Sequence, residues 1–202
     1  MGLIFKRNKG KFWRGEKFHS LVDFVVEIVK IVVISLAIII PVRYFLIQPF
    51  YVKGASMEPN LYNHEYLIID EISYRLDEPT RGDIVVFKYP KDPKQYFIKR
   101  MIGLPNERIV IHNGKIEIFN QDHPDGMLLD ESVYLDESVY TFGKVDIQLG
   151  ADECFLMGDN RQSSLDSRSF GPVKLAGIIG KTWLRGWPFD RILVFSAPEY
   201  NL

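Results

Sequence analysis

Cysteine is almost missing from this 202-residue chain. Cys154 stands alone, so no internal disulfide, thiolate zinc site or redox pair can be built from it, and it reads as a small core residue. Histidine is scarce as well, and His19, His64, His112 and His123 are scattered without the close spacing that a helix-borne metal site requires. No metal site is expected. An excess of charge of one sign is lacking too: the formal net charge is -1, which gives no footprint for binding nucleic acid. Apolar residues make up 47% of the chain, enough to bury a core in one or two domains.

The charge that is present is uneven. Lys6, Arg7, Lys9, Lys11, Arg14 and Lys17 crowd residues 1–20, opposed only by Glu16. A run dominated by Val, Ile, Leu and Phe follows over 21–47, uncharged from Ile31 to Val42. A membrane span needs about 20 mainly apolar residues, so the run predicts a transmembrane anchor with Glu27 and Lys30 near one end and Arg43 snorkelling toward the other. The basic flank places the N-terminus in the cytoplasm and everything after about Gln48 outside. A cleaved signal peptide would share the basic and apolar regions, but Arg43, Tyr44, Phe45, Leu46 and Ile47 stand where a small-x-small cleavage site would follow. Length and the basic flank argue against a buried core helix.

Beyond Gln48 the pattern turns short and strand-like. Glu65–Asp70, Asp83–Tyr89 and Tyr96–Ile102 are rich in β-branched and aromatic residues, and further strands are expected at Glu153–Met157, Ile178–Leu184 and Ile192–Phe195. Asn113-Gly114 between RIVIH and KIEIF predicts a two-residue hairpin, since this dipeptide supplies the positive φ angles of the turn. No convincing helix is expected here, and the outer part reads as mainly antiparallel β. Residues 121–150 are acidic and weakly patterned, with ESVY at Glu131–Tyr134 and again at Glu137–Tyr140, and read as an inserted β lobe.

Three segments carry candidate chemistry. In GASMEP, Gly54 and Ala55 before Ser56 allow a tight turn that exposes the hydroxyl near backbone N–H groups, although serines in such turns are common. Lys99 sits in YFIKRMI, on the face of Phe97 and Met101. Desolvation there would favour the neutral amine that a serine hydroxyl needs as a base, while a lysine snorkelling off a sheet edge is the plain alternative. GDNRQSSLDSR, from Gly158 to Arg168, is dense in short hydrogen-bonding side chains and opposed charges; it can be a solvated loop or a set of paired supports around a site. His64, with Asp70 beyond it, offers Ser56 a rival Ser-His-Asp arrangement, though its neighbours Tyr62 and Asn63 suit a surface turn.

In this order, GASMEP, RGDIVVFKYP, YFIKRMIGLPNE and MGDNRQSSLDSRSFGPV resemble the blocks of type I signal peptidase, the bacterial leader peptidase family, over about Gln48 to Trp183. The resemblance implies a mainly β fold of antiparallel sheets, a catalytic domain over 48–120 and 151–202, and a Ser-Lys dyad cutting secretory preproteins at small-x-small sites. By motif position it makes Ser56 the nucleophile and Lys99 the general base. Ser164 would orient the amine, with Asp159, Asp166 and Arg168 as supports. Phe50, Val52, Gly54, Met57, Leu61, Phe97 and Ile98 would bind substrate. Residues near Met57 and Leu61 would touch lipid. Implied partners are preprotein signal peptides, the lipid bilayer and the nearby secretion translocon, and no cofactor is implied. Some relatives carry a serine two residues before the nucleophile that helps bind the oxyanion; Gly54 stands there instead, as in single-anchor Gram-positive forms. A self-cleaving Ser-Lys repressor is disfavoured by the anchor, and an inactive interaction domain by the presence of both Ser56 and Lys99.

Overall fold

The computed structural model describes residues 13–45, 47–76 and 78–200, and the side chains within them except 13–20, 41–48 and 75–76. Lys6, Arg7, Lys9 and Lys11, and the side chains of Arg14, Lys17 and Arg43, lie outside that description. The chain forms two compact units, Met1–Tyr44 and Phe45–Leu202.

The first unit is a long helix, α1 (Trp13–Phe45, 33 residues). Its apolar side chains from Leu21 to Ile40 are open all round, with Phe24, Ile34 and Ile38 each at least 60% exposed. Among the described residues no helix is long and apolar enough to cross a membrane. The physical reason is that Asp23, Glu27 and Lys30 interrupt the stretch whose side chains are described.

The second unit is built from β1 (Ile47–Tyr51), β2 (Tyr66–Asp70), α2 (Ser73–Leu76), β3 (Ile84–Tyr89), β4 (Asp92–Gly103), β5 (Arg108–His112), β6 (Lys115–Phe119), β7 (Met127–Leu128), β8 (Val145–Gln148), β9 (Glu153–Met157), α3 (Ser167–Phe170), β10 (Val173–Lys174), β11 (Ile178–Trp187) and β12 (Leu193–Val194). One sheet runs β1-β2-β11-β3-β4-β9-β10, with β12 on β11; a second runs β7-β6-β5-β8. Every pairing is antiparallel. The mainly β expectation holds, and β9 has the predicted bounds.

Periodicity explains where the cores lie. In β5 and β6 alternate residues point inward, so Ile109, Ile111, Ile116 and Ile118 are fully buried with Ile102, Phe155 and Met157. Asn113 and Gly114 take φ 50° and 79° at the hairpin turn between them. The unbroken apolar run of β3 has a different cause, burial on both faces. Ile84 and Val86 pack with Met57, Leu61, Leu67 and Ile69, while Val85 and Phe87 pack with Met101, Cys154 and Leu156. Cys154 is thus the core residue expected.

Two elements depart from the sequence reading. The single-turn helices α2 and α3 were not expected, because side-chain capping rather than periodicity makes them. Asp70 accepts from Ile72 N and Ser73 N at 2.9 and 3.1 Å, and Asp166 caps α3. The acidic segment 121–150 also supplies β7 and β8, which flank the β5–β6 hairpin in one sheet.

Candidate active site

Ser56 is held by the residues on its C-terminal side. The chain leaves β1, and Val52 N donates to Glu65 O at 2.9 Å while His64 N returns to Val52 O at 3.0 Å, closing a loop. Inside the loop Gly54, at φ 95°, donates to Asn63 Oδ1. Leu61 N and Asn60 N donate to Met57 O, and Met57 and Leu61 are at most 1% exposed. These two side chains pin the turn into the core, leaving Ser56 at its surface.

Lys99 reaches the same point from β4, an interior strand between β3 and β9. Its register partner is Val85, and the residue is 3% exposed. Lys99 Nζ lies 2.7 Å from Ser56 Oγ and 2.8 Å from Ile98 O, with the Phe97 ring 5.6 Å away. Burial strips water from the ammonium and lowers its pKa to about 8, against an upward pull from Asp166 and Asp159. A largely desolvated amine in contact with a serine hydroxyl can take its proton.

Two acid–base pairs frame this contact. Arg100, next to Lys99 on the other face of β4, grips Asp159 through two bonds of 2.8 and 2.7 Å, and Asn60 Nδ2 donates to the same carboxylate at 2.8 Å. Asp166 takes two bonds of 2.8 Å from Arg168 and one of 3.1 Å from Gly158 N. Burial pushes the Asp166 carboxyl up, but Arg168 and the Gly158 N–H outweigh it, and its pKa falls below the usual range. Between the pairs runs the Gly158 backbone. A Cβ there would stand 2.1 Å from Ser164 Oγ and 2.4 Å from Ser56 O, so only glycine fits. Asn160 clasps the serine turn, its N donating to Ser56 O and its Nδ2 to Ala55 O, each at 3.1 Å.

Ser164 lies where the Gly158 backbone and Ser56 meet. Its buried hydroxyl is near enough to the Asp166 carboxylate to lower that pKa, yet has no partner at hydrogen-bonding geometry among the described residues. Lys99 Nζ is bonded instead to Ser56 and Ile98.

The supports the sequence did not reveal come from afar. Glu131, in the acidic segment, binds buried Arg161 through both oxygens, and Arg161 in turn donates to Gly158 O at 3.1 Å and to Thr141 Oγ1 at 2.6 Å. Tyr134 places its ring 4.0 Å from the Arg100 guanidinium and accepts from Asn60 at its carbonyl. The repeated tetrapeptide gave no sign of this, because its second copy leaves Tyr140 exposed.

A cleft of about 630 Å³ opens beside Ser56 and Lys99. Of the residues that the resemblance assigned to substrate binding, Phe50, Val52, Phe97 and Ile98 line it, and Tyr51, Lys53, Gln95, Tyr96 and Leu165 join them. Gly54, Met57 and Leu61 do not line it. Met57 and Leu61 are buried in the core behind the serine turn, which also removes them as candidates for lipid contact. The Ser-His-Asp alternative fails on geometry. His64 shares a short hydrogen bond with the Tyr51 hydroxyl, and Asp70 is engaged by Ile72 and Ser73. Among the described residues no group of three or more His, Cys, Asp or Glu is placed to hold a metal ion.

Residues 25–187 match the family model described as signal peptidase, peptidase S26. A protein of Synechocystis sp. named probable signal peptidase I-2 is 34% identical over 171 residues, covering 82% of this chain and 75% of that one. Signal peptidase I P of Bacillus subtilis subsp. natto is 33% identical over 173 residues, covering 83% of this chain and 92% of its own length. A crystal structure of a signal peptidase I from Enterococcus faecalis shares 28% identity at a TM-score of 0.43, covering 52% of this chain and 97% of that one.

Proposed function

We propose a Ser-Lys mechanism for this chain, which belongs to the signal peptidase family, peptidase S26, and removes signal peptides from preproteins. The observation that carries it is the 2.7 Å contact between Lys99 Nζ and Ser56 Oγ at a buried lysine. Ser56 Oγ attacks the scissile carbonyl while Lys99 accepts its proton; the resulting ammonium passes the proton to the leaving amine, and water activated by the same amine then clears the acyl-enzyme. Ser56 N–H, which donates to no acceptor among the described residues, is one oxyanion donor. Glycine at position 54 supplies no hydroxyl as a second. The Arg100–Asp159 and Arg168–Asp166 pairs hold the lysine side of the site.

The substrate enters the cleft in extended form between the β1 end and the start of β4, with small side chains facing Phe50, Val52, Phe97 and Ile98. The test is incubation of the full chain in detergent with a peptide carrying an Ala-x-Ala site, followed by mass mapping. A cut after the second alanine, abolished by Ser56→Ala and by Lys99→Ala, is expected. Full processing by either variant would overturn the assignment.

The chain acts at a membrane, with α1 as a single anchor, the N-terminus cytoplasmic and the β unit outside. A helix that exposes this many apolar side chains needs an apolar environment, and the stretch Leu21–Ile40, although interrupted by Asp23, Glu27 and Lys30, finds none in its own unit. On the β unit, Trp187, Phe189, Ile192 and Leu193 are at least 47% exposed and form the apolar surface that meets lipid. Retention in membranes through alkaline extraction, with protease reaching the β unit only from outside, is the expected result; extraction into the soluble fraction would contradict it.

A further inference from the structure

Most polar side chains of the cleft already have partners. The Tyr51 hydroxyl is bonded to His64, Gln95 Nε2 donates to Asp92 Oδ2 at 2.8 Å, and Ser56 and Lys99 are bonded to each other. Lys53 differs. It lines the cleft three residues before Ser56, is solvent-exposed, and takes part in no hydrogen bond, ion pair or ring contact among the described residues. Among the described residues no carboxylate lines the cleft to neutralise it. The other cation there, Lys99, is buried and engaged by Ser56 and Ile98.

The geometry points to Lys53 as a specificity-determining residue: it selects by charge among signal-peptide sequences, favouring an acidic side chain at one position near the cut and disfavouring a basic one. This rests on the cleft being the substrate site proposed above. Its walls otherwise carry apolar and aromatic residues with a few neutral or engaged polar groups, so no other free charge there selects among substrates. A free ammonium on the rim adds a long-range term that acts on whichever substrate side chain projects beside it, attracting a carboxylate and repelling a lysine. The site is open to water, so the term is modest, of the order measured for exposed ion pairs, about 1.5-fold to fivefold in rate between a carboxylate and its neutral amide. It also weakens with salt, since the interaction spans several ångströms of solvent.

The test uses the full chain in detergent and a peptide series that keeps Ala-x-Ala at the cut while placing Asp, Asn or Lys in turn at each of the flanking positions. The readout is the ratio of kcat/KM between peptides within one enzyme, which cancels any general loss of activity in a variant. For the native chain the order Asp over Asn over Lys is expected at one position, about 1.5-fold to fivefold from Asp to Asn and compressed at high salt. Lys53→Gln should flatten that order and Lys53→Glu invert it. The same ranking in all three enzymes, or no ranking at any position in the native chain, would overturn the proposal. Failure to cut the all-neutral parent peptide would instead overturn the assignment of the site, so the two failures are distinguishable.

Discussion

Replacing Gly158 by alanine puts the smallest possible obstacle between the serine turn and the lysine strand. The new Cβ would lie 2.4 Å from Ser56 O and 2.1 Å from Ser164 Oγ. Ser164 can rotate away, but the Ser56 carbonyl belongs to a backbone fixed by Asn160 on one side and by the buried Met57 on the other. An ordinary C···O contact begins at about 3.3 Å, so Ser56 must retreat by about 1 Å. That movement breaks the 2.7 Å contact with Lys99 Nζ. A displacement of this size costs about 100-fold in rate, or about 2.7 kcal/mol of transition-state stabilisation, while overpacking costs about 1–3 kcal/mol of stability. The assay is kcat/KM on a cleavage-site peptide beside a thermal melt. Gly177→Ala is the control, since its Cβ would meet only Val173 Cγ1 at 3.8 Å. A Gly158→Ala enzyme within about threefold of native kcat/KM would refute the claim that this backbone spaces the two reacting groups.

Other substitutions separate the supports from the rivals. Glu131→Ala leaves the fully buried Arg161 side chain without its carboxylate, and a loss of about 3–5 kcal/mol in a denaturant titration is expected, with Glu131→Gln less affected. Leu61→Ala should cost about 2–5 kcal/mol of stability while vesicle binding by the β unit stays unchanged, because this side chain is core. His64→Asn, chosen because asparagine tolerates the φ of 72° at that position, should keep kcat/KM within about twofold; loss of activity would revive a histidine base.

Local signals were legible in the sequence where local chemistry decides the structure. Asn113-Gly114 marked the hairpin, and the β-branched and aromatic run at Asp83–Tyr89 marked a strand, although its burial on both faces came only from the structure. Ser56 and Lys99, 43 positions apart in the chain and in contact in the fold, were paired through motif resemblance and not through periodicity. What stayed hidden depends on distant partners. Identical ESVY segments meet different fates, since Glu131 and Tyr134 pack against Arg161 and Arg100 while Tyr140 stays exposed. No property of a tetrapeptide distinguishes the copies; the packing partner does. Met57 and Leu61 were misplaced for a related reason, because an apolar residue beside the Ser56 turn can face substrate, lipid or core, and only the β2–β3 surface beneath them decides.

Whether Lys99 is the base is decided by the pH dependence of kcat/KM on a neutral peptide between pH 5 and 10. Burial has lowered the Lys99 pKa from 10.5 to about 8, and the reaction needs the neutral amine. Activity should therefore rise about tenfold per pH unit below 8 and level off above it, and Lys99→Ala should abolish the whole profile. A profile flat from pH 6 to 9, or a rising limb near 6.5 that survives Lys99→Ala, would show that some other group takes the proton from Ser56.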